Sequence, residues 1–78
     1  MLKSINKYIK NDEFSINILK DFIDINNFID IIILENNKIV LEIPWGYLKI
    51  FGNNLSIKKL LDKEIVINGN ILNIEFGE

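Results

Sequence analysis

The sequence has 78 residues and a formal net charge of −2, and 49% of its residues are hydrophobic. It contains no histidine, cysteine or arginine, which excludes Ser-His-Asp and Cys-His catalysis, disulfides, and zinc or haem sites built on imidazole or thiolate. Carboxylate pairs such as Asp21 and Asp24 are most simply interpreted as solvated charge. We therefore expect a single domain, residues 1–78, that is not an enzyme and has no catalytic residues, no cofactor and no metal.

The first 27 residues have the spacing of amphipathic helices. Apolar side chains recur every three or four positions, which would place them along one helical face. An alternative interpretation is a strand over Ser15–Ile18, where polar and apolar residues alternate. We expect an N-terminal helical segment, residues 1–27, that packs on one face of a sheet. The two apolar stripes are formed by Leu2, Ile5 and Ile9, and by Phe14, Ile18 and Phe22.

From Phe28 onward, apolar residues recur at every second position, as they do in half-buried strands. Turn-forming residues interrupt this alternation at intervals typical of short strands. Asn36-Asn37 can supply the positive φ angles of a tight hairpin, and Pro44 presets the φ of a second turn. The fold class that we predict is mainly β (α+β): an antiparallel β-meander of five to six short strands over residues 28–78, with the N-terminal helix packed on it.

Three glycines are predicted to be structural turn residues, namely Gly46, Gly52 and Gly69. The segment KIFGNNLSI at Lys49–Ile57 is echoed by VINGNILNI at Val66–Ile74, which predicts two hairpins of the same geometry with glycine at equivalent bends. A nucleotide-binding loop is excluded, because Gly52 is followed by neither a Lys-Ser/Thr pair nor a helical period.

Three aromatic residues, Trp45, Tyr47 and Phe51, are the candidate partner-contact residues. Trp45 falls at a predicted turn, and alternation directs Tyr47 and Phe51 away from the apolar face of their strand. Three interpretations remain open for them. They form a second core layer under the N-terminal helix, a protein-contact patch, or, with Lys49, Lys58 and Lys59 nearby, a stacking platform for single-stranded nucleic acid.

Two further contact modes concern a stripe of lysines and the edges of the predicted sheet. Lys3, Lys7 and Lys10 form a helical stripe that is most simply a solvated face, and peripheral contact with an anionic membrane surface is the weaker interpretation.

A meander also exposes edge strands, whose unpaired N–H and C=O groups accept another chain. We expect Phe28–Glu35 or Leu72–Phe76 to make such contacts with a protein partner or with a second copy.

The stretch Ile39–Ile71 resembles the YabP/YqfC family of small sporulation proteins from endospore-forming bacteria. That family carries a strand, a turn ending in Gly, and then Gly-x-Leu-x-Ile-x-Gly-x-x-Leu-x-Ile, followed by an acidic turn and Ile-x-Gly-x-Ile. The residues that fall on this pattern are Gly46, Leu48, Ile50, Gly52, Leu55, Ile57, Glu64, Ile67, Gly69 and Ile71.

The resemblance implies a non-enzymatic protein in the mother-cell cytoplasm of a sporulating bacterium. Its expected role is spore envelope or coat assembly, as a small protein-interaction or self-assembly module. The resemblance brings no catalytic residue and no cofactor. The alternative, which rests on the aromatic and lysine pattern, is a small β-barrel protein that binds single-stranded nucleic acid; the acidic charge balance makes a nucleic-acid partner the weaker expectation.

Overall fold

The computed structural model describes residues 13–78, which form one antiparallel sheet of six strands. The strand order across the sheet is β1-β2-β6-β5-β4-β3. Residues 13–78 contain no helix, so the sheet provides the whole described architecture. The strands are β1 (Ser15–Ile18), β2 (Phe22–Asn26), β3 (Asp30–Leu34), β4 (Lys38–Ile43), β5 (Gly46–Leu60) and β6 (Glu64–Gly77).

The predicted N-terminal helical segment, residues 1–27, is wrong for residues 13–27, where β1 and β2 form a hairpin. The alternative strand at Ser15–Ile18 is confirmed. Its partner, β2, also alternates, with Ile23 and Ile25 buried between less buried neighbours. Isoleucine is β-branched and packs well on a pleated surface, so this period of two prevails over the spacing of four. The stripe of Leu2, Ile5 and Ile9 and the lysine stripe lie outside the described residues.

The connections from β3 to β5 follow the predicted turns. The β3–β4 turn is at Asn36-Asn37, where the Glu35 N–H donates to the Lys38 carbonyl at 2.9 Å. The positive φ angles expected at these two asparagines are absent. Among the described residues other than glycine, Asn27 and Asn54 have a positive φ. The β4–β5 turn consists of Pro44 and Trp45, and Gly46 begins the next strand, as predicted.

The prediction that Gly52 and Gly69 end strands is wrong, because both lie inside the two longest strands, β5 and β6. The β5–β6 pairing has register shifts beside both glycines, and such shifts are the mark of β-bulges, which bend a strand without ending it. The six short strands expected after Phe28 therefore become four, and residues 13–27 supply the other two.

The topology also departs from a simple meander. Strands β3 to β6 are neighbours in chain order, but β2 pairs with β6 instead of β3. The chain crosses from β2 to the opposite edge of the sheet through Asn27–Ile29. Backbone hydrogen bonds fix this crossing at both ends, from the Asn27 N–H to Lys63 and from the Ile29 N–H to Glu42.

The bends divide the sheet into two halves of four strands each. The first half contains β3, β4, residues 46–53 of β5 and residues 70–77 of β6. The second half contains β1, β2, residues 56–60 of β5 and residues 64–68 of β6. Buried side chains from both halves belong to one hydrophobic cluster, so the core lies between the halves.

Each half contributes two rows of four apolar side chains that face the core. In every row the two middle residues are fully buried and the residue on at least one outer strand is exposed. Cross-strand neighbours on one face contact each other directly, so each row acts as one packed layer. The rows are Ile31-Leu41-Leu48-Phe76, Leu34-Ile39-Ile50-Ile74, Ile18-Ile23-Ile67-Ile57 and Ile16-Ile25-Ile65-Leu60.

The prediction of two equivalent hairpins from the sequence echo is wrong, because the two echoing segments lie in the two strands of one hairpin, β5 and β6. The echo corresponds instead to an internal pseudo-two-fold relationship between the halves. Ile50 and Ile67 are equivalent in the echo, and both are fully buried. In the first half Ile50 pairs with Ile74, and in the second half Ile67 pairs with Ile57, which is the echo equivalent of Ile74. The long hairpin of β5 and β6 therefore contributes one bent strand to the centre of each half.

Candidate interaction surface

Trp45 lies at the tip of the β4–β5 turn, where it contacts two other aromatic rings. Its ring centroid is 5.4 Å from that of Phe14, in an edge-on arrangement, and 5.5 Å from that of Phe76. Both distances fall in the range of favourable aromatic pairs. We call Phe14, Trp45 and Phe76 the aromatic cluster.

The aromatic cluster joins the two halves of the sheet at one end of the molecule. Phe14 directly precedes β1 of the second half, and Phe76 pairs with Leu48 in the first half. Although the three rings touch, Trp45 is 60% exposed and Phe76 is 55% exposed. The rings are thus held in place and yet present a large apolar surface to solvent, as interface aromatics do.

The structure separates the three predicted contact residues into two sites. Tyr47 and Phe51 lie on the outer face of β5, opposite the buried Leu48 and Ile50, as the alternation predicts. The ring contacts of Trp45 are with Phe14 and Phe76 instead. The second-core-layer interpretation is wrong for Trp45 and Tyr47, because both side chains are exposed.

Acidic residues flank the outer face around Tyr47. Glu42 is directly opposite Tyr47 on β4, and Glu75 is directly opposite Lys49 on β6. The Lys38 ammonium lies 5.8 Å above the Phe51 ring, so one lysine already occupies that aromatic face. A phosphate backbone would meet carboxylates as well as lysines here, which weakens the electrostatic attraction that such binding requires.

A long stretch of β6 is paired on one side only. Strand β2 covers β6 as far as Asn68, and within the described residues β5 is the only strand paired with Asn70–Gly77. In an antiparallel strand every second residue directs its N–H and C=O away from a given neighbour. We call Asn70–Gly77 the β6 edge. It includes Phe76 and therefore adjoins the aromatic cluster.

The other sheet edges are shorter or carry features that discourage pairing. Strand β1 has four residues, and β3 is interrupted by a bulge between Ile31 and Ile33. The free edge of β5 carries Lys58 and Lys59. Both segments that the sequence suggested for edge contacts, Phe28–Glu35 and Leu72–Phe76, do lie at edges of the sheet.

A charged group occupies the outer face of the second half. The Lys59 Nζ lies 3.4 Å from Glu64 Oε1, while Asp24 Oδ1 is buried without a hydrogen-bond partner. A hydrogen bond between the carboxyls of Asp24 and Glu64 forms only when one of the two is protonated. That bond to Glu64, aided by partial burial and by the charge of Glu64, raises the pKa of Asp24 above its ordinary value. The same bond, aided by Lys59, lowers the pKa of Glu64 against the opposing effect of burial.

Residues 13–78 enclose no pocket. The same residues contain no group of three or more metal-ligating side chains and no helix long and apolar enough to cross a membrane. On the outer surface of these residues, the aromatic cluster and the β6 edge adjoin through Phe76.

Phe14 and Phe76 complete a site that sequence reasoning found only in part. The alternation of β6 places Phe76 on the same side as Ile74, and Leu72–Phe76 was already expected to make contacts. No sequence signal indicates that Phe14 meets Trp45, because these residues are 31 positions apart and the segment around Phe14 was predicted to be helical.

The fold and this surface define residues 13–78 as a small all-β domain built from one bent antiparallel sheet with exposed aromatic residues at one end. The sequence model of the YabP family matches residues 12–78, so the chain belongs to the YabP family, and the resemblance noted in the sequence is confirmed. No curated protein and no solved structure matches the chain. Family membership indicates a small sporulation-associated protein.

Proposed function

We propose that this protein is a non-enzymatic assembly module of the spore envelope or coat, which binds a protein partner or another copy of itself. The observation that carries the proposal is the position of the exposed Trp45 and Phe76 beside a strand edge whose pairing, among residues 13–78, is with β5 alone. An incoming extended segment gains backbone hydrogen bonds from the edge and apolar contact from the rings. Large exposed aromatics are the side chains on which binding energy concentrates.

Membership of the YabP family supports a role in the mother-cell cytoplasm during sporulation. A fluorescent fusion expressed from the native promoter tests this location: we expect signal in the mother cell after division, beginning diffuse and then following the forespore surface. Signal confined to the forespore interior would contradict the proposal.

The experiment that tests the function is complementation of a gene deletion in the parent organism. We expect the deletion to reduce the yield of resistant spores, the wild-type gene to restore it, and Trp45→Ala to restore it poorly. The matched control is Leu61→Ala, since Leu61 is 54% exposed but lies at the β5–β6 turn. Equal rescue by Trp45→Ala, at equal protein level, would overturn the proposed contact surface.

Binding of single-stranded nucleic acid remains the alternative, with less support because Glu42 and Glu75 adjoin Tyr47 and Lys49. Titration with labelled oligonucleotides at low salt separates the two functions. Binding that weakens steeply with salt and with Tyr47→Ala would favour the alternative.

Peripheral membrane contact through the lysine stripe has less support than either function. Co-sedimentation with anionic vesicles would test it.

A further inference from the structure

We propose that two copies of this chain pair through their β6 edges, antiparallel and centred on Ile74. The inference rests on the proposed assembly function and deepens it by naming the occupant of the edge as a second copy. Pairing would join the first half of one copy to the first half of the other in a single eight-stranded sheet. The aromatic clusters would then flank the junction.

The β6 edge is the edge best suited to pairing among residues 13–78. It has eight residues and contains neither lysine nor proline, the residues that commonly block edge-to-edge association. The nearest register shift with β5 lies at Leu72, so Asn73–Gly77 runs without interruption. Leu72 and Phe76 are also among its most exposed apolar side chains, at 63% and 55%.

The register centred on Ile74 makes the edge complementary to itself. Phe76 of one copy then faces Leu72 of the second copy, so the exposed apolar groups cover each other. Asn73 faces Glu75 of the second copy. These two side chains already form a hydrogen bond within one chain, from Asn73 Nδ2 to Glu75 Oε2 at 2.9 Å, so the same amide–carboxylate chemistry is available between copies. Directly opposed pairs of this kind stabilise antiparallel strands.

Neighbouring registers are less favourable. Centring the pair on Glu75 would place two carboxylates directly opposite each other, which is destabilising. Centring the pair between two residues, so that Ile74 of one copy faces Glu75 of the other, would also be unfavourable. Successive side chains alternate between faces, so the core-facing side of one copy would then align with the solvent side of the other. With Ile74 at the centre, the apolar row that ends at Phe76 continues into the second copy.

Substitutions at Asn73 test this register, because the side chain is exposed and lies opposite Glu75 of the second copy only in the proposed pair. Asn73→Glu would oppose two carboxylates in each of two symmetric contacts, and we expect the dimer Kd to rise about ten-fold. Asn73→Lys would form two opposite-charge contacts and lower the Kd several-fold at low salt. The double variant Asn73→Glu with Glu75→Lys restores opposite charges and should return the Kd toward the wild-type value.

Sedimentation equilibrium from about 1 μM to about 1 mM protein measures these constants, and circular dichroism verifies the fold of each variant. The control is Ile18→Lys, since Ile18 is 62% exposed on the edge formed by β1, and it should leave the Kd unchanged. A wild-type protein that is monomeric throughout overturns the proposal, as does a dimer whose Kd ignores the charge at position 73. Neither result would alter the Trp45→Ala complementation outcome, so the assembly function is tested separately.

Discussion

Gly52 and Gly69 lie where the two longest strands bend, and each packs against the backbone of the opposite strand. A methyl group on Gly52 would collide with the Asn70 carbonyl oxygen of β6, and one on Gly69 would lie 2.7 Å from the Asn54 carbonyl oxygen of β5. Gly69 also has a φ of 133°, which L side chains rarely adopt. The bend that brings the two halves of the sheet together therefore depends on the absence of side chains at both positions.

Alanine at either glycine should destabilise the protein strongly. We expect Gly52→Ala and Gly69→Ala each to lower the free energy of unfolding by about 2–4 kcal/mol, because the backbone must move to admit Cβ. Urea denaturation measures the change. Gly77→Ala is the control, since its nearest neighbours would be Lys49 side-chain atoms at 3.9 Å. A cost at position 52 no larger than that at 77 would contradict the close approach.

The equivalence of the two halves predicts equal sensitivity of their cores. Ile50→Ala and Ile67→Ala should each cost about 2–5 kcal/mol of unfolding free energy, because both side chains are fully buried in matching rows. Ile18→Ala, at the exposed end of a row, should cost less than about 1 kcal/mol. Thermal or urea unfolding compares the three variants, and a small effect at only one of the buried positions would contradict the equivalence.

The carboxyl pair predicts stability changes of opposite sign. Because the pKa of Asp24 is raised in the folded state, its contribution to stability is fully present below the ordinary aspartate pKa and is lost as pH rises through the raised value. Asp24→Asn cannot ionise, so we expect a higher melting temperature than wild type at neutral pH, and a difference that shrinks in acid.

Glu64 provides the comparison for that experiment. Its pKa is lowered in the folded state, so its contribution is present above the ordinary glutamate pKa and is lost as pH falls through the lowered value. Glu64→Gln should therefore destabilise the protein at neutral pH and have less effect in acid. Melting temperatures for both variants across this pH range check the signs, and destabilisation by Asp24→Asn at neutral pH would refute this description of the pair.

Trp45 is the only tryptophan, so its fluorescence reports on the aromatic cluster. Removing either neighbouring ring should expose the indole further, and we expect Phe14→Ala and Phe76→Ala to shift its emission to longer wavelength. Phe51→Ala is the control, because Phe51 lies on the outer face of β5. Loss of one aromatic pair should also cost about 0.5–1.5 kcal/mol of stability. Unchanged emission in both cluster variants would rule out these contacts.

Much of the β architecture was predictable from alternation, because a period of two fixes which face each side chain occupies. The alternate positions of Tyr47, Leu48 and Ile50 were predicted correctly for this reason. Gly52 and Gly69 were wrongly predicted to be turns between strands, because local sequence cannot distinguish a bulge within a strand from a turn, since both favour glycine.

The failures involve contacts between distant parts of the chain. Phe14, Ile18 and Phe22 fit a helical spacing, and only pairing with β6 makes the strand conformation of that region the better one. The contact between Phe14 and Trp45 depends on the bend in β5 and β6, so no local pattern reveals it. The β6 edge likewise depends on a distant part of the chain, because β2 ends its pairing with β6 at Asn68.

Site-specific photo-crosslinking shows whether the aromatic cluster and the β6 edge contact a protein during sporulation. A photoreactive phenylalanine analogue replaces Trp45 in one strain and the similarly exposed Leu61 in another, and both are irradiated in sporulating and vegetative cells. We expect discrete protein adducts from position 45 in sporulating cells only. Adducts of equal yield from position 61, or none from position 45 in a protein that remains folded, would contradict a protein contact at the aromatic cluster.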